Sequence, residues 1–484
     1  MASTIGGMQR SLRSVLIGTF TLRFSTGLTG ALLVYYLAKL PEHGGQEISA
    51  FELGLLAAAF FVAELVLSPI FGALSDRYGH HRVMQLGPLF GFVAVILTGL
   101  TTNLWVLGST RLLEGASTAA SVPSILGFIA MATAHDEALR GKTSARFEAA
   151  TIAGIGAGIA VAGPMWNVFG PIAFFLNAGV YVGSLLIYRY GVTAPDLPAA
   201  PRPHGESGWR RYAKLLRRSH VWLLAPTWIA INAALGLYTS QTLFQLAKKP
   251  DPKFSNQLLV GGFDPLLISA GLVVLGVVFF AGLWYWGNRF ANMRRTTIIL
   301  YGIGGGVALV VGALLINHSQ ALGDAARIGG AVIAAFGLFV LAGATPAALG
   351  LLADISEAFP DDRGAVMGLY SVFLAIGQII GSVIGGAAAD QWAFDGILFA
   401  TLILMGIAVV PLSRLRRFES RFEASPAEGP LIIELPDGRF VAPGLDDPDE
   451  VGDPGAPTGP TIGLMDDGPG GLPPAPGSDG PPRR

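Results

Sequence analysis

The chain contains no cysteine. Disulfides, thiolate metal sites and cysteine nucleophiles are therefore excluded. Charge is the second shortage. Asp, Glu, Lys and Arg make up only 13% of the 484 residues, about half the usual share of a water-soluble domain. Most of the chain must then face something other than water. The formal net charge is −1, so no bulk attraction to nucleic acid is expected. The seven histidines show no metal-ligand spacing. His80 and His81 are adjacent, and a helix would splay them apart. No metal and no cofactor are expected. Gly304-Gly305-Gly306 lacks the Lys-Ser pair of a phosphate loop, and no Gly-x-Ser-x-Gly elbow occurs. No catalytic constellation supports an enzyme.

What fills the chain is apolar. Hydrophobic residues are 52% of the total, and the mean hydropathy is +0.55. A membrane-crossing helix needs about 20 apolar residues. Runs of that kind fall near 13–39, 50–74, 83–101, 104–133, 146–167 and 170–190, then near 221–246, 265–287, 296–317, 325–353, 364–389 and 393–413. The predicted fold is all-α: twelve transmembrane helices in two six-helix bundles, 1–190 and 221–413. A basic, proline-containing linker, 191–220, joins them. A Pro/Gly/acidic tail, 414–484, follows and reads as mostly disordered. Within it, residues 431–441 form two apolar runs around Asp437-Gly438, a hairpin signal. The short basic start up to Arg13 precedes an apolar run too long for a signal peptide, so that run reads as a retained span.

Lys and Arg accumulate on one side of the predicted helices: Arg10 and Arg13; Arg77 and Arg82; Arg140, Lys142 and Arg146; the linker; Arg289, Arg294 and Arg295; Arg414, Arg416 and Arg417. The positive-inside rule places both termini in the cytoplasm. One loop disagrees, with Lys248, Lys249 and Lys253 on the outer side.

Between the second and third spans stands Gly72-Ala73-Leu74-Ser75-Asp76-Arg77-Tyr78-Gly79-His80-His81-Arg82. This segment resembles the loop signature of the major facilitator superfamily, Gly-x-x-x-Asp-Arg-x-Gly followed by basic residues. Gly72, Asp76, Arg77, Gly79 and Arg82 match, and His80 and His81 replace the usual Arg or Lys. A degraded basic counterpart, 287–295, occupies the same place in the second half. Arg111-Leu112-Leu113-Glu114-Gly115 resembles a second motif of that family, Arg-x-x-Gln-Gly, whose arginine is associated with proton coupling. Here Glu114 replaces Gln. Gly154, Gly156, Gly158 and Gly163-Pro164 partly resemble an exporter motif. Gly377, Gly381 and Gly385, with Ser382 in the place of Pro, form a second small-residue series. Such residues let helices pack closely, and these are expected to form the seam on which the halves slide.

Charges inside the apolar runs are costly and mark function by default. Arg23, Glu64, Arg111 and Glu114 are four of them. Thr19, Arg23 and Thr26 share one helical face, as do Arg111, Glu114, Thr118 and Ser121; Tyr238, Gln241 and Gln245 share another. In the resembled family the first, fourth, seventh and tenth spans line a central cavity. The resemblance thus implies a substrate cavity built from Thr19, Arg23, Thr26, Thr118, Ser121, Tyr238, Gln241 and Gln245, with Glu64, Arg111 and Glu114 coupling protons. A static network of buried pairs is the other reading of these charges. Gly72, Asp76, Arg77, Gly79, Arg82 and Asp136 would form a cytoplasmic gate, Arg77 meeting Asp136 or Glu137 and Asp76 the start of the eleventh helix.

The function implied is secondary active transport by alternating access. Proton-coupled efflux of a drug-like or amphipathic compound is the leading form. Uptake or export of an organic anion or metabolite, and a non-transporting scaffold or sensor, are the alternatives. The expected partners are a small-molecule substrate, protons and the lipid bilayer. The expected setting is a monomer in a bacterial cytoplasmic membrane.

Overall fold

The computed structural model describes residues 2–134, 136–193, 221–289, 293–357 and 363–423, and two short strands, 433–434 and 440–441. Long helices dominate: α1 (Ala2–Ala38), α2 (Ala50–Tyr78), α3 (His80–Leu100, with a turn at Met84–Gln85), α4 (Leu104–Ala132), α5 (Glu137–Phe169) and α6 (Ile172–Gly191). Residues 194–220 of the linker lie outside the described residues. Then come α7 (Val221–Ala247), α8 (Pro265–Gly287), α9 (Arg295–Asn317) and α10 (Asp324–Leu352, broken at Ala342–Gly343). The last helical stretch, Arg363–Glu423, is broken at Trp392 and Ala393, where Ala393 has φ +49°. Its two arms are α11 and α12.

Among the described residues, ten stretches are long and apolar enough to cross a membrane. One of them, Ser371–Arg416, turns back at the Trp392–Ala393 break and so crosses twice. With α7 the chain makes twelve passes, six on either side of the linker. At about 1.5 Å per residue, the 23 residues of α8 reach across a hydrocarbon core of about 30 Å.

The distribution of polarity is inverted relative to a soluble protein. Val66, Trp105, Val277, Trp284, Val332 and Ile403 are exposed. Arg23, Glu114, Thr118, Asn177, Gln241, Gln245 and Gln378 are buried. Apolar side chains outside and polar ones inside are the arrangement that lipid requires. This is a multi-pass membrane protein.

Within the first half α1 packs along α5, and α2 along α4; within the second, α9 packs along α10. The halves meet through α5 and α8, and through α1 and α2 against α7. Several helices begin earlier than the hydropathy suggested. The helix α5 starts at Glu137 instead of near 146, because Asp136 caps it by accepting the Leu139 N–H at 2.8 Å. Its first charged turns, Arg140 and Lys142, extend past the apolar run as helix. In the separate unit that begins at Phe422, Ile433 pairs with Val441 and Glu434 with Phe440, antiparallel; the Asp437-Gly438 pair between them lies outside the described residues.

Candidate functional site

The interior of the first half is organised by two arginines. Arg23, halfway along α1, is buried and donates from Nη1 to Thr118 Oγ1 of α4 at 3.3 Å. Such a bond to a neutral hydroxyl leaves most of the guanidinium charge uncompensated. Compensation comes from α2 and α5. Glu64 and Glu148 both lie within the electrostatic reach of Arg23. Close approach of α1 and α5 makes this possible, since a Cβ on Gly154 would press on Arg23 Cβ and the Phe24 amide. Glu148 was missed by the sequence reading. It stands two residues inside the expected start of the fifth span, where a charge looks like an interfacial residue.

One turn of α4 carries the second arginine. Arg111 pairs with Glu114, three residues on, and lies 5.0 Å over the Phe60 ring of α2. Glu114 is buried, and its second carboxylate oxygen has no hydrogen-bond partner. The pair is therefore neutral as a whole but keeps one acceptor, and so one place for a proton, unused. The α4 stripe does not stay on one face of the cavity. Ser117 donates to the Gly87 carbonyl of α3 at 2.7 Å, and Ser121 faces the same glycine. Ser121 thus sits in the α3–α4 packing seam. Arg111, Glu114 and Thr118 keep to the interior.

The hydroxyls of α1 point inward but bond to their own helix: Thr19 to the Val15 carbonyl at 2.8 Å and Thr26 to that of Leu22 at 3.0 Å. Each then has acceptor capacity left for a solute. Two tyrosines of α6 pack beside this wall without having been anticipated. The Tyr188 ring covers Gly18, and the Tyr181 ring covers Gly91.

The second half offers amides in place of charges. Tyr238 meets Thr401 at 3.3 Å. Gln245 is fully buried, and neither end of its amide has a partner. Gln241 donates to the Ala50 carbonyl of α2 at 3.0 Å, so it joins the two halves. Gln378 of α11, another residue missed, accepts from Thr239 at 3.1 Å.

The hydrogen bonds between halves gather at the end opposite the basic loops. Asp390 of α11 accepts from the Ala50 and Phe51 N–H groups of α2. Asn167 of α5 donates to Asp264 at 2.8 Å. Ser269 of α8 accepts from the Gly163 N–H at 3.0 Å, and the Tyr35 hydroxyl donates to the Pro265 carbonyl at 3.4 Å. A Cβ on Gly163 would sit on that carbonyl, and one on Gly54 would sit on the Ser382 carbonyl. Pro164 follows inside the same helix. The glycines Gly377, Gly381 and Gly385 do not form this seam. They pack against Asn232, Ala233 and Leu237 of α7, inside the second half. Among the described residues, Gly386 of α11 meets the first half, against Ala50.

At the basic end the loop motif folds on itself. Gly79 has φ +96°, a conformation that favours glycine, and turns the chain from α2 into α3. Gly72 faces Pro123 of α4. Asp76 is 77% exposed and meets His80 at 3.7 Å. Arg77 is exposed and lies over the Tyr78 ring at 5.4 Å. Arg82 is exposed as well. The expected Arg77–Asp136 pair is not formed in this conformation, because Asp136 is used as the α5 cap. The side chains at the start of α11, the other expected contact, lie outside the described residues.

A family model described as Major Facilitator Superfamily matches residues 15–354. The chain is 26% identical over 371 residues to Multidrug resistance protein 2 of Bacillus subtilis (strain 168), covering 74% of this chain and 85% of the relative. It is 24% identical over 415 residues to Quinolone resistance protein NorA of Staphylococcus aureus (strain MRSA252), covering 85% and 98%. Among solved structures, a bacterial homologue of the human lysosomal transporter Spinster, inward-facing and unoccupied, superposes with a TM-score of 0.64 at 12% identity, covering 86% of this chain and 99% of that one. The nucleoside transporter NupG superposes with a TM-score of 0.60 at 13% identity, covering 84% and 98%.

Proposed function

The chain belongs to the Major Facilitator Superfamily, and from that membership we propose that it is a secondary active transporter exporting a drug-like or amphipathic compound in exchange for protons. The observation that carries this reading is Arg23. It is a buried charge at mid-helix, tied to α4 by one hydroxyl and faced by two carboxylates, in a bundle whose halves are joined at one end. A solute entering from the other end meets titratable groups and hydroxyls on one side and amides on the other. The drug resistance named for the two relatives supports the direction.

In this reading the basic loops and both termini face the cytoplasm of a bacterium, and the conformation is inward-facing. Thr19, Arg23, Thr26, Thr118, Tyr238, Gln241 and Gln245 bind the solute. Glu114, held by Arg111, and Glu64, held by Arg23, carry protons. Loading a proton releases its arginine partner, and that release changes what the cavity attracts. Each charge moved across 100 mV contributes about 2.3 kcal/mol, enough for a useful solute gradient. The Asp76–Arg77 loop latches the basic end in the opposite state, and the protein works as a monomer. A second reading is transport of an organic anion, favoured by the same Arg23.

Inverted membrane vesicles test the proposal. A lipophilic fluorescent cation should accumulate inside when the lumen is acidic and stay out when the gradient is collapsed. Accumulation indifferent to the gradient and to Glu114→Gln would count against proton coupling. Competition by organic anions alone would favour the second reading.

A further inference from the structure

One loop breaks the charge bias of the chain, and its lysines find their partners at the joined end. Lys249 pairs with Glu42 of the first half at 3.8 Å. Burial holds the Lys248 ammonium below its ordinary pKa, against the opposing pull of Asp251, Asp390 and Glu47. Asp390, which bonds the start of α2 from α11, is thus among the charges that face this loop.

We propose that Asp390 and Asp264 are the gating residues of this end: each is a carboxylate of the second half that holds the inward-facing state by binding a polar group of the first. The inference rests on the transport reading and adds the residues that set its conformational equilibrium. At α2 the helix start is already served by a capping box, Ser49 with Glu52. That box satisfies the Ser49 and Glu52 N–H groups. The Ala50 and Phe51 N–H groups are left over, and Asp390 takes both, at 2.7 and 3.1 Å, one with each oxygen. A carboxylate on a helix N-terminus is favoured by both hydrogen bonding and the helix dipole. Asp264 caps its own helix through the Leu266 N–H at 2.8 Å and also accepts from Asn167. The charged groups around the pair are Glu42, Glu47, Lys39, Lys248, Lys249 and Asp251.

Both carboxylates are exposed. Water can replace either partner when the halves part, so the bonds are reversible. Beneath them the seam is closed by glycine against backbone, at Gly54 and Gly163, and is buried. One layer excludes water and the layer above it decides how often the seam opens.

The native absence of cysteine supplies the assay. Ser382 is fully buried beneath Asp390 on α11, and Ser382→Cys is nearly isosteric. A membrane-impermeant maleimide is applied to intact cells and, separately, to inverted vesicles. In the Ser382→Cys background, Asp390→Ala should speed labelling from the cell exterior about fivefold, the usual worth of a helix cap. Asp390→Asn, which keeps one acceptor, should fall between Ala and Asp. Asn167→Ala, which leaves Asp264 on its own helix, should act in the same direction and covers the case in which the Asp390 variants fail to fold. Equal labelling rates in all these variants would overturn the gate. Faster exterior labelling in a protein that moves no solute would keep the gate and remove the transport reading. Unchanged labelling with intact flux would do the reverse.

Discussion

Arg111 and Glu114 show how a buried pair constrains this protein at the level of single residues. The pair sits against Phe60 with Glu114 buried. Removing one partner leaves the other charge without compensation, which costs about 3–5 kcal/mol. Glu114→Ala and Glu114→Gln should therefore both lower the melting temperature in detergent, Glu114→Gln somewhat less because its amide oxygen still accepts from Arg111. An unchanged melting temperature in Glu114→Ala would refute the pairing. Asp264 makes a second residue-level prediction. The Asn167 amide first, and then the Leu266 N–H, hold its carboxyl below the ordinary value of 3.8. A depressed carboxyl gives its stabilisation in full above that ordinary value and loses it as pH falls through the lowered one. The contact is thus insensitive to pH near neutrality. Asn167→Ala should move the Asp264 titration upward, toward 3.8, in an infrared titration of the carboxylate band. The buried charges were legible in the sequence because each interrupts an apolar run. Their partners were not. Spacing put Ser121 on the Glu114 stripe, yet it faces Gly87, because spacing fixes a shared face and not which neighbouring helix covers it one or two turns further on. Asp136 was visible as a carboxylate near Arg77, but nothing local said that a helix start would claim it first.

At the scale of helices, hydropathy located the passes well and their ends poorly. Apolar length reports the hydrocarbon core; a helix continues into the polar layer wherever a cap and good helix formers allow. The break in Arg363–Glu423 was anticipated as a gap between two spans, and it is a single sharp turn at Trp392 and Ala393. The small-residue series were easy to see and hard to assign. Glycines spaced by four mark a close helix contact without saying which helix supplies the other side. Gly163 and Gly54 meet the opposite half, and Gly381 meets its own. This difference can be measured. Gly54→Ala and Gly163→Ala should each destabilise the inward-facing state by about 1–3 kcal/mol, the usual cost of overpacking. Gly381→Ala should instead lower overall stability with no preference between states. Double electron–electron resonance between spin labels at the outer ends of α2 and α11 reads the distribution. A shift toward longer distances is expected for Gly54→Ala, and an unchanged distribution would contradict the seam.

Across the whole molecule, two ends with different chemistry are the basis of the account. One end carries the basic loops, with Asp76 exposed and Arg77 resting on its neighbour Tyr78. The other carries Asp390 and Asp264, each bonded to the opposite half, and there Lys249 of the loop that broke the charge bias pairs with Glu42. Between them lies an interior with charges in the first half and amides in the second. The twelve-pass plan and its family were readable because lipid imposes a length and because the 72–82 loop is distinctive. Which end is closed was not readable, since one sequence must serve both states and encodes the contacts of each. The central claim is that solute and protons take turns at the Arg23–Glu64 and Arg111–Glu114 groups. Its most direct measurement is the pH of lightly buffered proteoliposomes on addition of a transported dye, with no gradient imposed. The account predicts a proton movement opposite to the dye, in fixed ratio, that is lost in Glu114→Gln or Glu64→Gln while dye binding remains. Dye movement at an undiminished rate with no accompanying pH change would contradict it.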